Sequence, residues 1–253
     1  MRRLLVLAVV AILASGVAFA AKEDELNNTP DYSNDSQAPP STAATPQITE
    51  DFEAGVPPAG WSTVDDDGSG LVWTACIATG QSNDTNGSGD CAIASSDDFG
   101  SASYDTSLIT ESYNFCASVN SGMDVSLNFQ NYAGYDWFYI DCSADGGANW
   151  VNYLAWNEDH GTWGNPPGED VSLDISDMDG ESSVICRFRY YDPVVHFNWW
   201  VMVDDFVLMS DGAITTPGVP DCGGGGVPAT TGIGLMLLVL ALGGSSAYFL
   251  RRK

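Results

Sequence analysis

The sequence predicts an all-β chain: a jelly-roll β-sandwich behind a signal peptide, with one transmembrane helix at its end. Three observations predict it. Short aromatic and β-branched runs of alternating polarity recur between turn clusters of Gly, Asn, Asp and Ser, and no stretch carries a helical period. A charged, apolar, small-residue leader opens the chain. An uncharged apolar run followed by three basic residues closes it.

Met1-Arg2-Arg3, the apolar run to Val17 and Ala18-Phe19-Ala20 form the three parts of a secretory signal, so 1–20 is expected to be removed on export. Residues 21–46 are polar and Pro-rich, a disordered linker. The folded part is expected over 47–210. Its strand-like runs are Met123–Tyr132, Asp136–Cys142, Trp150–Trp156, Val171–Ile175, Val184–Tyr190 and Trp199–Leu208. Regular spacing of this kind favours the jelly roll. Residues 211–226 form a second, Gly-rich linker.

The last segment, 227–253, contains 18 uncharged residues from Ile233 to Leu250. As a helix they would span roughly 27 Å, about the thickness of a hydrocarbon core. Arg251, Arg252 and Lys253 would stay on the cytoplasmic side. Val227-Pro228, the later Gly234, the apolar run and the basic tail resemble an exosortase-type sorting signal, although Ile233 stands where a Trp is usual. That resemblance implies a processing enzyme in the membrane and loss of the helix. A plain membrane anchor is the alternative.

Positions 21–226 hold three basic side chains against all 34 carboxylates, a formal charge of −31. Nucleic acid and anionic lipid are disfavoured as partners, and divalent cations are favoured. Six cysteines in an exported chain point to disulfides. Cys76 and Cys91 flank a Gly/Asn/Ser loop and are expected to clamp it. Cys142 and Cys186 lie on the apolar faces of two runs and are expected to meet. Cys116 and Cys222 either pair or leave Cys222 to the anchoring region.

Ser143, Asp145, Gly147 and Trp150 form an S-x-D-x-G-x-x-W turn, similar to the Asp-box of sialidases, where it shapes hairpins and performs no catalysis. Asp65-Asp66-Asp67-Gly68 opens like a calcium loop, with Asp65 and Asp67 as ligands, but lacks the distal Glu. A simple turn is the competing reading. Asp177-Met178-Asp179-Gly180 opens in the same way and carries less weight. Neither H-E-x-x-H nor G-x-S-x-G occurs, and His160 and His196 lie in different segments, so no catalysis is expected.

The ordered set "DFEAGVPPAGWSTVDDDGSGLVW", "DTSLIT", "SLNFQNYAGYDWFYIDCSADGGANW", "DVSLDISD", "ICRFRYYD" and "NWWVMVDDFVL" resembles the MAM-like or cleaved-adhesin jelly roll of the choice-of-anchor J type. Leu108-Ile109-Thr110-Glu111 replaces the Leu-x-Thr-Pro of many relatives, and Phe206 follows Asp205 where Val is usual. The resemblance implies an exported surface domain for adhesion or recognition, anchored transiently or permanently. It also implies a calcium ion between first and last strands, with Asp51, Glu53, Asp204 and Asp205 as ligands. A lectin-like carbohydrate module and a structural surface component are the alternatives. The expected partner is a surface glycan or protein. The loop "NEDHGTWGNPPGED", carrying Trp163, is the sequence's candidate for ligand contact.

Overall fold

The computed structural model describes residues 44–216 and Cys222. The signal peptide, the sorting residues Val227, Pro228, Gly234, Arg251 and Arg252, and the apolar run before the basic tail lie outside the described residues. Among those described, no helix is long and apolar enough to cross a membrane.

Two antiparallel sheets form a sandwich. The first contains β1 (Thr45–Glu50), β3 (Thr74–Ala75), β4 (Ala92–Ser95), β7 (Gly122–Gln130), β10 (Glu169–Asp174) and β12 (Trp200–Ser210). Its order is β10-β7-β12-β4-β3, and β1 also pairs with β12. The second runs β2-β5-β11-β8-β9. Its strands are β2 (Ser62–Asp65), β5 (Ala102–Ile109), β8 (Trp137–Ser143), β9 (Val151–Trp156) and β11 (Ile185–His196). A small ribbon joins β6 (Asn114–Ala117) to β13 (Ala213–Thr215). Two four-residue helices, α1 (Cys76–Thr79) and α2 (Ser96–Phe99), fill turns.

Strand pairing overruns the expected domain limits at both ends. β1 begins at Thr45, and β13 lies within the stretch read as linker. Ile214 supplies the reason: its side chain is buried in the core.

Period-two alternation places Val125, Leu127, Phe129, Phe138, Ile140, Phe188 and Val203 in one core between the sheets. Trp61 binds this core together, edge-on to Phe52 and Phe206 and stacked on Phe188. Cys142 and Cys186 pair in register on adjacent β8 and β11 and are bonded, with Cα atoms 4.0 Å apart. Cys76 and Cys91 are bonded across the loop between β3 and β4. No described cysteine is free.

The irregular course of β12 sets where its two acidic residues point. Trp200–Val203 pairs with β4 on one side, whereas Phe206–Ser210 pairs with β1 on that same edge. The register against β7 slips between Asp204 and Val207. Asp205, at φ +48°, is the bulged residue. Without this extra residue, alternation from Val201 and Val203 would drive Asp205 into the core. With it, Phe206 and Leu208 point inward instead.

Candidate functional site

The bulge leaves Asp204 on the outer side of the first sheet, in line with Trp200 and Met202, yet with no exposed surface. The disulfide-clamped loop covers it. Asn83 donates to Asp204 Oδ2 at 2.7 Å, and the Asp205 N–H donates to Oδ1 at 2.8 Å. Glu53, just after β1, accepts from the Asp90 N–H at 2.9 Å. A Cβ added at Gly89 would overlap the Glu53 carboxylate. The loop therefore closes on Asp204 through the Asn83 side chain and on Glu53 through backbone.

Burial raises the Asp204 carboxyl to about 6, and the charges of Asp205 and Glu53 add to the effect. Of the four acids expected together, only Asp204 is buried under the loop; Glu53 and Asp205 are exposed beside it, Glu53 held to the loop by the Asp90 N–H. Asp51 turns away, its Oδ1 accepting from the Glu53 N–H at 3.2 Å. Among the described residues no three His, Cys, Asp or Glu side chains converge as a metal cluster. A cation at this place would therefore draw on neutral oxygens too. The donors present, carboxylate and amide oxygens in a glycine-lined cradle, fit calcium.

The Asp65 loop is held as a turn. Asp65 accepts from the N–H groups of Gly68, Ser69 and Gly70 at 2.9, 3.1 and 2.9 Å. The Gly70 bond is the chief cause of its lowered pKa. Asp67 accepts from the Ser69 N–H at 3.2 Å. In the second opening of this type, Asp179 accepts from the hydroxyls of Ser118 and Ser121 at 2.5 and 2.6 Å, whereas Asp177 accepts from the Tyr153 hydroxyl.

The Trp163 loop is pinned. His160 exchanges backbone hydrogen bonds with Phe129, stacks on Trp156 at 3.6 Å and meets Glu169 at 3.0 Å. Trp163 itself is half-buried, 5.6 Å from Trp199 and 6.2 Å from Trp200, over Ile93, Met202 and the Cys76–Cys91 bridge. It packs the loop down onto the first sheet.

The outer face of the second sheet holds an array that no sequence motif announces. Cross-strand register aligns Asp105, Tyr191 and Trp137 in one row, then Ser107, Arg189 and Tyr139, then Ile109, Arg187 and Asp141. The Trp137 and Tyr139 rings lie within 4° of parallel, with centroids 5.9 Å apart. Arg189 grips Asp105 through two bonds of 2.7 and 2.6 Å and lies 5.0 Å from the Tyr191 ring. Arg187 binds Asp141 at 2.8 Å and covers Trp150 at 4.2 Å.

Trp150 is delivered there by the Asp-box turn. Asp145 Oδ1 accepts from Asn149 N–H and from Ser143 Oγ, both at 2.8 Å. The Asn149 side chain donates to Oδ2 at 2.7 Å, and that bond is the chief cause holding Asp145 down at about 2. The array could have been found from the alternation in Trp137-Phe-Tyr139-Ile-Asp141 and Arg187-Phe-Arg189-Tyr-Tyr191, whose non-core positions are all aromatic or charged.

The molecule is thus a disulfide-braced β-sandwich with one carboxylate, Asp204, buried under a loop on one sheet and an aromatic, arginine-bearing outer face on the other. The family model of the Cleaved Adhesin Domain matches residues 45–133, from β1 to the turn after β7. Among solved structures, the K1 cleaved adhesin domain of Lys-gingipain from Porphyromonas gingivalis W83 is similar at 20% identity and a TM-score of 0.49, covering 66% of this chain and 99% of that one. The K3 domain of the same protein is similar at 21% identity and a TM-score of 0.49, with the same coverage. A carbohydrate-binding module described for specific mannan recognition, TmCBM27, shares 11% identity at a TM-score of 0.40, covering 66% of this chain and 98% of that one. No curated protein matches the chain.

Proposed function

We propose that this chain is an exported, non-catalytic adhesion or recognition domain of the cell surface, built as a MAM-like jelly roll. The observation that carries the reading is the outer face of the second sheet. Trp137, Tyr139 and Tyr191 are half-buried there, on strands rather than loops, and the forked Arg189 lies over the Tyr139 and Tyr191 rings. Rigid aromatic surface of this kind costs little entropy on binding. The family match and the disulfides are consistent with export to a surface.

Calcium between Glu53 and Asp204 would brace the loop that closes over them. The exosortase-type tail would hold the chain in the membrane until processed, a reading supported by sequence alone. Mass spectrometry of the native C-terminus tests it: Lys253 at the end sinks the processing step.

A glycan ligand is the second reading. The near-parallel Trp137 and Tyr139 rings favour it, since apolar sugar faces stack on such rings. The decisive experiment compares wild type with the Trp137→Ala/Tyr139→Ala variant on a glycan array and on immobilised surface proteins. We expect wild type to bind in one assay and the variant to lose at least tenfold there, with its circular dichroism unchanged. Equal binding by the two proteins would overturn the assignment of this face. Binding in neither assay, with calcium-dependent sedimentation of large assemblies, would favour a structural surface component.

A further inference from the structure

We infer that a second oxygen-liganded divalent cation, calcium by its donor set, sits between Asp136 and Asp192 at the end of the sandwich. The inference stands independently of what the aromatic face binds. It shares no residue with the Glu53–Asp204 cradle.

Asp136 is the residue before β8, and Asp192 lies in β11. Neither has any exposed surface. Each commits one oxygen to the backbone. Asp136 Oδ1 accepts from the Tyr132 N–H at 3.3 Å, and Asp192 Oδ1 accepts from the Val194 N–H at 3.0 Å. The other oxygen of each, Oδ2, is buried without a hydrogen-bond partner.

Asn198, between β11 and β12, supplies the independent observation. It too is fully buried. Its backbone is spent: the N–H donates to Ser96 Oγ at 2.6 Å, and the carbonyl accepts from the Tyr190 hydroxyl at 3.3 Å. Its side chain faces the Asp192 carboxylate, yet neither Oδ1 nor Nδ2 reaches a partner in hydrogen-bonding geometry. Asp136 Oδ2, Asp192 Oδ2 and Asn198 Oδ1 are thus three buried oxygens without a hydrogen-bond partner, and the nearby Tyr190 hydroxyl is spent on the Asn198 carbonyl.

The charge has no fixed partner either. Among the described residues the only Arg and Lys side chains are Arg187 and Arg189, and both are bound to aspartates on the outer face. His196 is the one other basic side chain whose charge acts on Asp192. It is exposed and stacked on Tyr135 at 5.5 Å. The two carboxylates lie close enough for the charge of Asp192 to raise the pKa of Asp136. A cation on the two Oδ2 atoms and Asn198 Oδ1 would remove the repulsion and satisfy all three. Oxygen donors without thiolate disfavour zinc, and calcium accepts irregular geometry better than magnesium.

The position has a structural consequence. Asp136 precedes Trp137 and Asp192 follows Tyr191, and those two aromatics are cross-strand partners in the first row of the outer face. A cation there would tie β8 to β11 directly behind that row.

The test is calcium stoichiometry on the full chain, by native mass spectrometry after chelation and calcium titration. Asp192→Asn, nearly isosteric, is expected to bind one calcium fewer than wild type. Asp204→Asn leaves this site intact, so it serves as the control for the other cradle. An Asp192→Asn protein that binds as many ions as wild type would overturn the proposal. Should that variant fail to fold, Asn198→Ala decides. It keeps both carboxylates and is expected to weaken one calcium-binding step at least tenfold. Unchanged affinity at every step would overturn the site.

Discussion

Gly87 lies against Asp204 so closely that a Cβ on the glycine would overlap the carboxylate oxygen Oδ2. The loop can lie over that buried charge only because position 87 has no side chain. Gly87→Ala should therefore lift the loop and cost about 1–3 kcal/mol, the usual range for overpacking. Urea unfolding measures it. A change under about 0.5 kcal/mol, the range of a neutral surface substitution, would show that the loop rests elsewhere.

Burial raises the carboxyls of Asp204 and Asp192 to about 6 from an ordinary 3.8. Between roughly pH 4 and 6 the folded chain then holds more protons than the unfolded one, so its stability falls as pH rises through that window. Glu53 and Asp205 sharpen the effect at Asp204, whereas His196 opposes it at Asp192. Melting in chelator should show this decline, and calcium should restore most at the upper end. A melting temperature that climbs from pH 4 to 6 in chelator would count against both buried sites.

Arg189→Lys keeps the charge but loses the fork. A lysine cannot reproduce the paired bonds to Asp105 or lie flat against the Tyr191 ring. The expected loss is about 1–2 kcal/mol, read by denaturant titration. Asp105→Asn in the same background should add little, because the two residues act as a pair. Fully additive losses would deny the coupling.

The Cys142–Cys186 bridge closes a 44-residue separation between neighbouring strands. Replacing both cysteines by alanine should cost about 4 kcal/mol by chain entropy. The strands pair through seven registered residues and should remain folded at low temperature. Near-identical melting of the two proteins would indicate an unfolded state already ordered around these strands.

Much of the sandwich was legible because its central strands alternate cleanly. The run expected at Met123–Tyr132 is β7, one or two residues shifted, and that at Asp136–Cys142 is β8. The expected Cys76–Cys91 and Cys142–Cys186 pairings are both formed. Short strands such as β2 and β6 were not legible, since four residues carry too little period. Of the four acids expected to meet, Glu53 and Asp204 both touch the loop between Cys76 and Cys91. Asp51 accepts from the backbone of its own turn. The buried trio of Asp136, Asp192 and Asn198 left no local mark. Their burial is set by a turn before β8, by β11 and by the link to β12, which meet only in the folded chain.

Arg187 and Arg189 spend their charge on Asp141 and Asp105, so the aromatic strip beside them is an electrically quiet island on a strongly anionic shell. A visitor gains no long-range pull toward it, and ions in the medium have little to screen there. Shape and ring contact would govern attachment, which makes the grip of such a strip as firm in brine as in fresh water.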